Sequence, residues 1–370
     1  MRVQFSHHIF SSQEVGGISN YFINLAEALP ARDVSIGMNF PMTITRSLQN
    51  FAAYGGTVVP KRVVKRGITW RLVHAANASS ELGTRFLTRR MVKPDVFHRT
   101  YYSTTGNHAS IPEVITVHDM IHEDFPEYFQ KPILKKKLDS LRLAAQIICI
   151  SEYTRGRLLD LTDIDSSKIA VIPHGIEHEN LSSVTERPTG GRPYIAYVGT
   201  RSGYKNFEVL ALAFSELIQI YRDLNLMLVG GGPISVAESD LFDSLQITPN
   251  ILKIDHAVDT SDLISKAQCV VSTSFAEGFG LVPLESLAQG IPCVVSDIDV
   301  NREIWGDSLP TFPANDHIKL AKCIQQLLES DDYWTSVSKE GFAIAQSLSA
   351  QRMAESTLDV YKRAAANKTN

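Results

Sequence analysis

The sequence predicts an α/β protein of two domains, each a parallel sheet covered by helices on both faces. Three observations carry this. The chain has 370 residues, 44% hydrophobic and 21% charged, which suits a globular protein of two domains at roughly 100–200 residues each. Short apolar runs ending in glycine or polar residues alternate with segments whose apolar side chains recur at helical spacing, the pattern of strands buried on both faces. Between Glu179 and Pro193 a stretch rich in Ser, Thr, Gly, Arg and Pro breaks that alternation and predicts a linker.

In order along the first half, Val3-Gln-Phe-Ser, Val34-Ser-Ile-Gly, Val96-Phe-His, Val114-Ile-Thr-Val and Ile147-Ile-Cys-Ile read as strands, with helices near 18–29, 80–91 and 132–145. The second half is clearer. Tyr194-Ile-Ala-Tyr-Val-Gly199 and Leu226-Met-Leu-Val-Gly-Gly-Gly232 are strands ending in glycine, separated by a helix over 206–221. Ile251-Leu-Lys-Ile, Cys269-Val-Val-Ser-Thr and Pro292-Cys-Val-Val-Ser follow as strands, with helices near 260–267 and 281–289. The expected domains are 1–182 and 194–345, joined by a linker over 183–193. A last helix within 346–370, spanning 350–366, is expected to pack back on the first domain. Ligands in such sheets bind beyond the C-terminal strand ends, so residues there matter most.

No apolar run approaches the ~20 residues of a membrane span, and the N-terminus lacks the apolar core of a secretory signal. Four cysteines, Cys149, Cys269, Cys293 and Cys323, are far apart with no CxxC pair, which argues against a disulfide scaffold or zinc ribbon and suits a reducing cytoplasm. Residues 1–185 carry 21 Lys and Arg against 17 Asp and Glu, and residues 186–370 carry 15 against 23. The basic half could dock an anionic partner, or the charges could be ordinary surface scatter. Absence of GxxxxGK[ST] and GxGxxG argues against a P-loop ATPase or a dinucleotide oxidoreductase, and no feature suggests nucleic-acid binding.

The strongest motif is Ser274-Phe-Ala-Glu277-Gly-Phe-Gly-Leu-Val-Pro-Leu-Glu285-Ser-Leu-Ala-Gln-Gly290. A strand ends, a glycine-rich turn follows, and a helix starts near Leu281. The amides of Phe279, Gly280 and Leu281 would then point from a helix N-terminus at phosphate or sugar oxygens. Glu277 and Glu285 could accept bonds from hydroxyls, or be two surface glutamates on a capped helix.

This stretch resembles the Glu-x7-Glu signature of retaining glycosyltransferases of family four, which have the GT-B fold. Further landmarks stand in that family's order: Gly16-Gly17-Ile-Ser19, Thr116-Val-His118-Asp119, Ile150-Ser151-Glu152-Tyr153-Thr154, Val171-Ile-Pro-His174-Gly175-Ile, Tyr197-Val-Gly-Thr-Arg201 and Leu228-Val-Gly-Gly-Gly232. The resemblance implies two Rossmann-like domains facing across a cleft, and retaining transfer of a hexose from a nucleoside diphosphate sugar, of GDP-mannose or UDP-glucose type, to a sugar or lipid-linked acceptor in cell-surface polysaccharide synthesis. It implies no cofactor and no bound metal. It also places Arg201 and Lys205 on the diphosphate, Glu285 on the ribose, Glu277 with the 279–281 amides on the sugar, and His118 near the donor sugar's 6-hydroxyl. One departure stands out: the family spaces its Arg and Lys more widely and follows Lys with Gly, whereas here three residues intervene and Asn206 follows.

The remaining candidates keep two readings each. Gly16-Gly17 before a helix allows close backbone approach to a phosphate or an acceptor, though such pairs are common. Asp119 either orients the His118 imidazole or caps the next turn. His7, His8, His98 and His122 read as packing or surface residues. Asp163-Ile-Asp165 and Asp297-Ile-Asp299 read as turn and capping residues rather than metal ligands. Arg85, Arg89, Arg90, Lys93 and Lys131, Lys135, Lys136, Lys137, interleaved with Leu82, Phe86, Met91, Leu134, Leu138 and Leu141, could contact an anionic membrane at its inner face, or be solvated faces of amphipathic helices. A GT-B fold also hosts sugar phosphorylases, nucleotide-sugar epimerases and non-catalytic sugar-nucleotide binders, which remain alternatives.

Overall fold

Parallel strands that lie between two layers of helices need apolar residues on both faces, and the strand sequences EVITV, QIIC, NLMLV and CVVS meet that need, since every residue in them is buried. A computed structural model describes all residues except 15, 39–41, 46–47, 49–61, 64–72, 74–75, 78–92, 104–110, 130–132, 178–185, 255–259 and 367–370. The chain divides into two units: Met1–Gly175 with Ser349–Asn370, and Ile176–Leu348. Each is built on its own parallel sheet.

In the first unit the strands are β1 (Arg2–Phe5), β2 (Ser35–Gly37), β5 (Val96–Arg99), β6 (Glu113–Val117), β7 (Gln146–Cys149) and β8 (Ile169–Val171), with the short pair β3 (Met42–Thr43) and β4 (Arg62–Val63) set apart. The order across the main sheet is β2-β1-β5-β6-β7-β8. Helices α1 (Gly17–Ala28), α2 (Ile121–Asp124), α3 (Leu134–Leu143) and α4 (Glu152–Leu161) connect the strands, and α12 (Ala350–Ala366) completes the unit. Helix α12 buries Met353, Ala354, Thr357, Val360, Tyr361 and Ala364, a stripe at helical spacing. Its apolar members join Phe5, Phe22, Leu25, Val96 and Val114 in one core.

The second unit is also a six-stranded parallel sheet. Strands β9 (Tyr194–Val198), β10 (Asn225–Val229), β11 (Ile251–Ile254), β12 (Cys269–Ser272), β13 (Cys293–Ser296) and β14 (Thr311–Phe312) form a sheet in the order β11-β10-β9-β12-β13-β14. The helices are α5 (Phe207–Ile220), α6 (Val236–Ser244), α7 (Thr260–Ser265), α8 (Leu281–Ala288), α9 (Asp299–Trp305), α10 (His317–Glu329) and α11 (Asp331–Ser347). In each unit the order reverses beside the first strand, between β1 and β5 and between β9 and β12, the place in such sheets where ligands bind.

The division falls at Gly175, earlier than the expected 182. The described part of the expected linker belongs to the second unit: Gln268 Nε2 donates to Pro188 O at 2.7 Å, and Arg187 donates to the Leu327 and Leu328 carbonyls and to Asp331. A composition rich in Pro and Gly therefore marks an attached strap here, because its polar groups find acceptors on α10 and α11. The expected helix at 80–91, with Leu82, Arg85, Phe86, Arg89, Arg90 and Met91, and also Lys131, lies outside the described residues.

At the boundary the chain enters and leaves the second unit side by side. A Cβ on Gly175 would sit 2.4 Å from Ser349 O and 2.6 Å from Ala350 N, so only glycine lets these two backbones approach. Gly175→Ala should destabilise the first unit by about 2 kcal/mol or more, since backbone cannot yield as a side chain would. Gly190→Ala, with open space around it, should stay within about 0.5 kcal/mol of the parent. Urea unfolding of both variants checks this, and equal midpoints would contradict the close approach.

Candidate active site

Lys205 and Glu277 come from different strand exits. Lys205 ends a 3-10 turn, Gly203–Lys205, shortly after β9, and Glu277 lies in the loop after β12. Because β9 and β12 are neighbours at the reversal point, their loops meet: Lys205 Nζ donates to Glu277 Oε1 at 2.7 Å. Ser274 Oγ donates to the same oxygen at 2.6 Å. Thr273 Oγ1 donates to Lys205 O at 2.7 Å, and Phe275 N to Tyr204 O at 2.8 Å, stitching the two loops. Burial pulls the Lys205 ammonium down, but Glu277, Tyr204 and Tyr197 outweigh it and hold it above the ordinary lysine value. Burial pushes the Tyr197 phenol up, and Lys205, Glu277 and Arg201 all act on it. These charges therefore form one cluster around the end of β9.

Arg201 is bonded more fully than its position at a strand end suggests. Its Nε donates to Glu238 Oε1 at 2.5 Å, Nη1 to Gly230 O at 3.0 Å, and Nη2 to Gly232 O at 3.2 Å and Pro233 O at 3.0 Å. Every guanidinium N–H but one on Nη1 is thus engaged, and the side chain is only 3% exposed. It is no free cation at a strand end. It clamps the turn after β10 to the exit of β9, an approach so close that a Cβ on Gly231 would lie 2.2 Å from Gly199 O. Glu238, which the sequence reading passed over, closes the clamp. Its Oε2 accepts from Ser235 N and Oγ, completing a capping box at the start of α6. Burial raises the Glu238 pKa, but Arg201 and Ser235 outweigh it and hold it below the usual carboxylate value. The sequence Ser235-Val-Ala-Glu238 carried that signal.

Phe279, Gly280 and Leu281 sit where the motif predicts, with Gly280 capping α8 and Leu281 starting it. Phe279 is buried and packs edge-on against Trp305 at 6.0 Å. Glu285 follows a little over one turn into α8. It has no hydrogen-bond partner among the described residues, and burial pushes its carboxyl up to about 7. At neutral pH it is therefore poised between acceptor and donor.

In the first unit, His118 leaves the end of β6 and is buried, with both ring nitrogens lacking any partner. A neutral imidazole carries one donor and one acceptor, and neither is met by the protein here. Tyr21 meets it edge-on at 5.1 Å and His174 stacks at 5.9 Å. Burial, with His174 and His98 adding to it, drives its pKa well below 6.5. His98 is a packing residue, as expected, held by Tyr361 Oη at 2.7 Å and Thr116 Oγ1 at 2.9 Å. His7 and His8 are buried and stacked at 4.3 Å, and His122 stacks on Phe129 at 3.8 Å.

Three expectations change in detail. Of the two readings of Asp119, the structure takes capping: its Oδ1 accepts from Ile121 N at 3.2 Å and does not reach the imidazole. At Gly16-Gly17 the space is filled by Gln13, whose Oε1 accepts from Ser19 N and would lie 2.6 Å from a Gly16 Cβ. One amide of the first turn of α1 is thus taken by a side chain of the same chain. Lys137 does not belong to a solvated basic face. It is fully buried, with Nζ donating to Glu123 Oε2 at 2.7 Å and Asp119 O at 3.0 Å, whereas Lys93, Lys135 and Lys136 are exposed. Asp165 caps a turn at Ser167, Asp163 pairs with Arg142, and Asp297 and Asp299 pair with Arg302. No group of three or more metal-ligating side chains occurs among the described residues.

Comparison with known proteins identifies a glycosyltransferase of GT-B fold. Residues 15–180 match the family described as Glycosyltransferase Family 4, and residues 177–343 match Glycosyl transferases group 1. The chain belongs to the family-4 glycosyltransferases. O-antigen chain mannosyltransferase B of Escherichia coli is 26% identical over 267 residues, 67% of this chain and 70% of that protein. A phosphatidyl-myo-inositol mannosyltransferase of Mycobacterium leprae is 22% identical over 332 residues, 87% of this chain and 86% of that protein. Among solved structures, sucrose-phosphate synthase from Thermosynechococcus elongatus has a TM-score of 0.75 at 18% identity, covering 99% of both chains. HepE of Anabaena, in complex with UDP-glucose, has a TM-score of 0.74 at 17% identity, covering 97% of this chain and 98% of that one. Among the described residues no helix is long and apolar enough to cross a membrane.

The buried groups give a pH signature. His98 and His174 are held near a pKa of about 3 by burial, and His118 well below 6.5. Below 6.5 the unfolded chain binds protons that the folded one refuses, so stability falls with pH by about 1.4 kcal/mol per unit for each imidazole. Glu285, raised to about 7, acts oppositely, because the folded chain keeps its proton between 4.5 and 7. The unfolding midpoint should therefore drop from pH 7 to pH 5, and drop more steeply in Glu285→Gln. A flat profile over that range would show that the imidazoles are not buried neutral.

Proposed function

We propose that this glycosyltransferase is a retaining hexosyltransferase that uses a nucleoside diphosphate hexose and needs no metal. The observation that carries the proposal is the Lys205–Glu277–Ser274 cluster at the exits of β9 and β12, beside the start of α8. Lys205, with the remaining Nη1 N–H of Arg201, meets the diphosphate, where negative charge grows as the glycosidic bond breaks. Glu277, once released from Lys205, and the 279–281 amides hold the sugar, and Glu285 holds the ribose. His118, a neutral imidazole with two unmet ring nitrogens, bonds a sugar hydroxyl. Retention without a protein nucleophile fits a same-face transfer in which a donor phosphate oxygen assists deprotonation of the acceptor, as the family resemblance implies.

The relatives named as mannosyltransferases of O-antigen and of phosphatidyl-myo-inositol support a mannosyl donor and an acceptor in cell-surface glycan synthesis, sugar or lipid-linked. Work on such an acceptor would place the protein at the inner membrane face, with exposed Lys93, Lys135 and Lys136 available to anionic headgroups.

Two experiments test this reading. Calorimetric affinity for GDP and UDP, and turnover with the cognate sugar nucleotide, separate binding from chemistry. Lys205→Ala should lose on the order of 10²–10³ in rate. Glu285→Ala should instead weaken nucleotide affinity, since a ribose contact is nearly equal in ground and transition states. His118→Ala should bind the free diphosphate nearly as the parent does but turn over far more slowly. Normal turnover by His118→Ala would sink its assignment, and binding without any transfer or donor hydrolysis by the parent would favour a non-catalytic binder.

The second experiment is assay in excess EDTA. Activity should persist, because Lys205 carries the diphosphate charge. Loss restored by Mn²⁺ or Mg²⁺ would show that a metal shares that role.

A further inference from the structure

The charge balance around β9 has an unassigned member. Two cations stand at this strand end, and each already has a carboxylate: Arg201 with Glu238 at 2.5 Å, Lys205 with Glu277 at 2.7 Å. The cluster is thus close to neutral without a ligand. Glu277 can exchange its partner, since it rests in a loop and a sugar hydroxyl can replace Lys205. Glu238 cannot do so at the same cost. Its Oε2 is held by Ser235 N at 2.7 Å and Ser235 Oγ at 2.8 Å, and its Oε1 by Arg201, so it stays when an anion arrives.

We propose that Glu238 is a standing counter-ion that weakens this site's hold on nucleoside diphosphates, so that the product nucleotide can leave. The inference rests on the reading that the diphosphate binds at the β9 exit. Arg201 is nearly excluded from water, where a compensating charge is weakly screened. With Glu238 in place, a phosphate oxygen reaching the free Nη1 N–H meets a guanidinium whose charge is largely cancelled. Neutralising Glu238 would expose that charge and hold both substrate and product nucleotide more tightly. Tighter binding of donor and product alike does not accelerate the bond-breaking step, and slower product release lowers turnover.

The test compares the parent, Glu238→Gln and Ser235→Ala. Glu238→Gln should tighten the dissociation constant for GDP or UDP, whichever the parent binds, by about tenfold, with product inhibition strengthened by a similar factor. Ser235→Ala breaks the capping box but keeps the charge, so its affinity should match the parent's while its melting temperature falls. If Glu238→Gln binds no tighter than the parent, or if Ser235→Ala tightens binding equally, the counter-ion role is overturned. If the parent binds neither nucleotide, the underlying assignment of the β9 exit falls as well.

Discussion

The second unit is organised around a guanidinium withdrawn from water. Arg201 must satisfy nearly all of its donors inside the protein, because a buried charge without partners is costly. It does so by gathering the carbonyls of Gly230, Gly232 and Pro233 and the carboxylate of Glu238. Those bonds fix where the chain turns after β10, where α6 begins, and how closely that turn approaches Gly199. The neighbouring Lys205–Glu277 pair does for the β12 loop what Arg201 does for the β10 turn. Together they tie the loops at three strand ends to one another.

Beyond its buried Arg99–Glu113 and Lys137–Glu123 ion pairs, the first unit packs the polar rings around the end of β6 without charge. His98 is wedged between Tyr361 and Thr116, Tyr21 shares the Thr116 hydroxyl at 3.4 Å, and His174 and His118 stack beside them. Uncharged rings can be buried densely where ionised groups cannot. Of these rings His118 alone has both nitrogens buried without a partner. An unsatisfied member in an otherwise satisfied cluster calls for an explanation, and the role proposed for His118 supplies one.

Much of this was readable in the sequence because fully buried parallel strands leave nearly continuous apolar runs. The runs at 194–198, 226–229, 269–272 and 293–295 all became strands, and the glycine turn before Leu281 did open a helix. His118 stood out in the sequence through the Thr116-Val-His118-Asp119 resemblance and its place after an apolar strand. The less legible parts share a cause. Arg201, Asp119 and Lys137 were placed correctly along the chain, but whether a charge meets solvent or a carbonyl depends on contacts such as Arg201 with Pro233 or Lys137 with Glu123, which no periodicity records. The short helices α6 and α9 and the amphipathic α10 and α11 went unread. Ser235-Val-Ala-Glu238 and Ser330, which caps α11 through Tyr333 N, were the available start signals.

The first unit is discontinuous: Met1–Gly175 is completed only by Ser349–Asn370. During synthesis the continuous second unit, Ile176–Leu348, has its whole sequence available before the first does. Phe5, Phe22 and Val96, although made early, share a core that is completed only when α12 has been made. A chain cut before Ala350 would therefore keep one unit whole and leave the apolar core of the other without its covering helix.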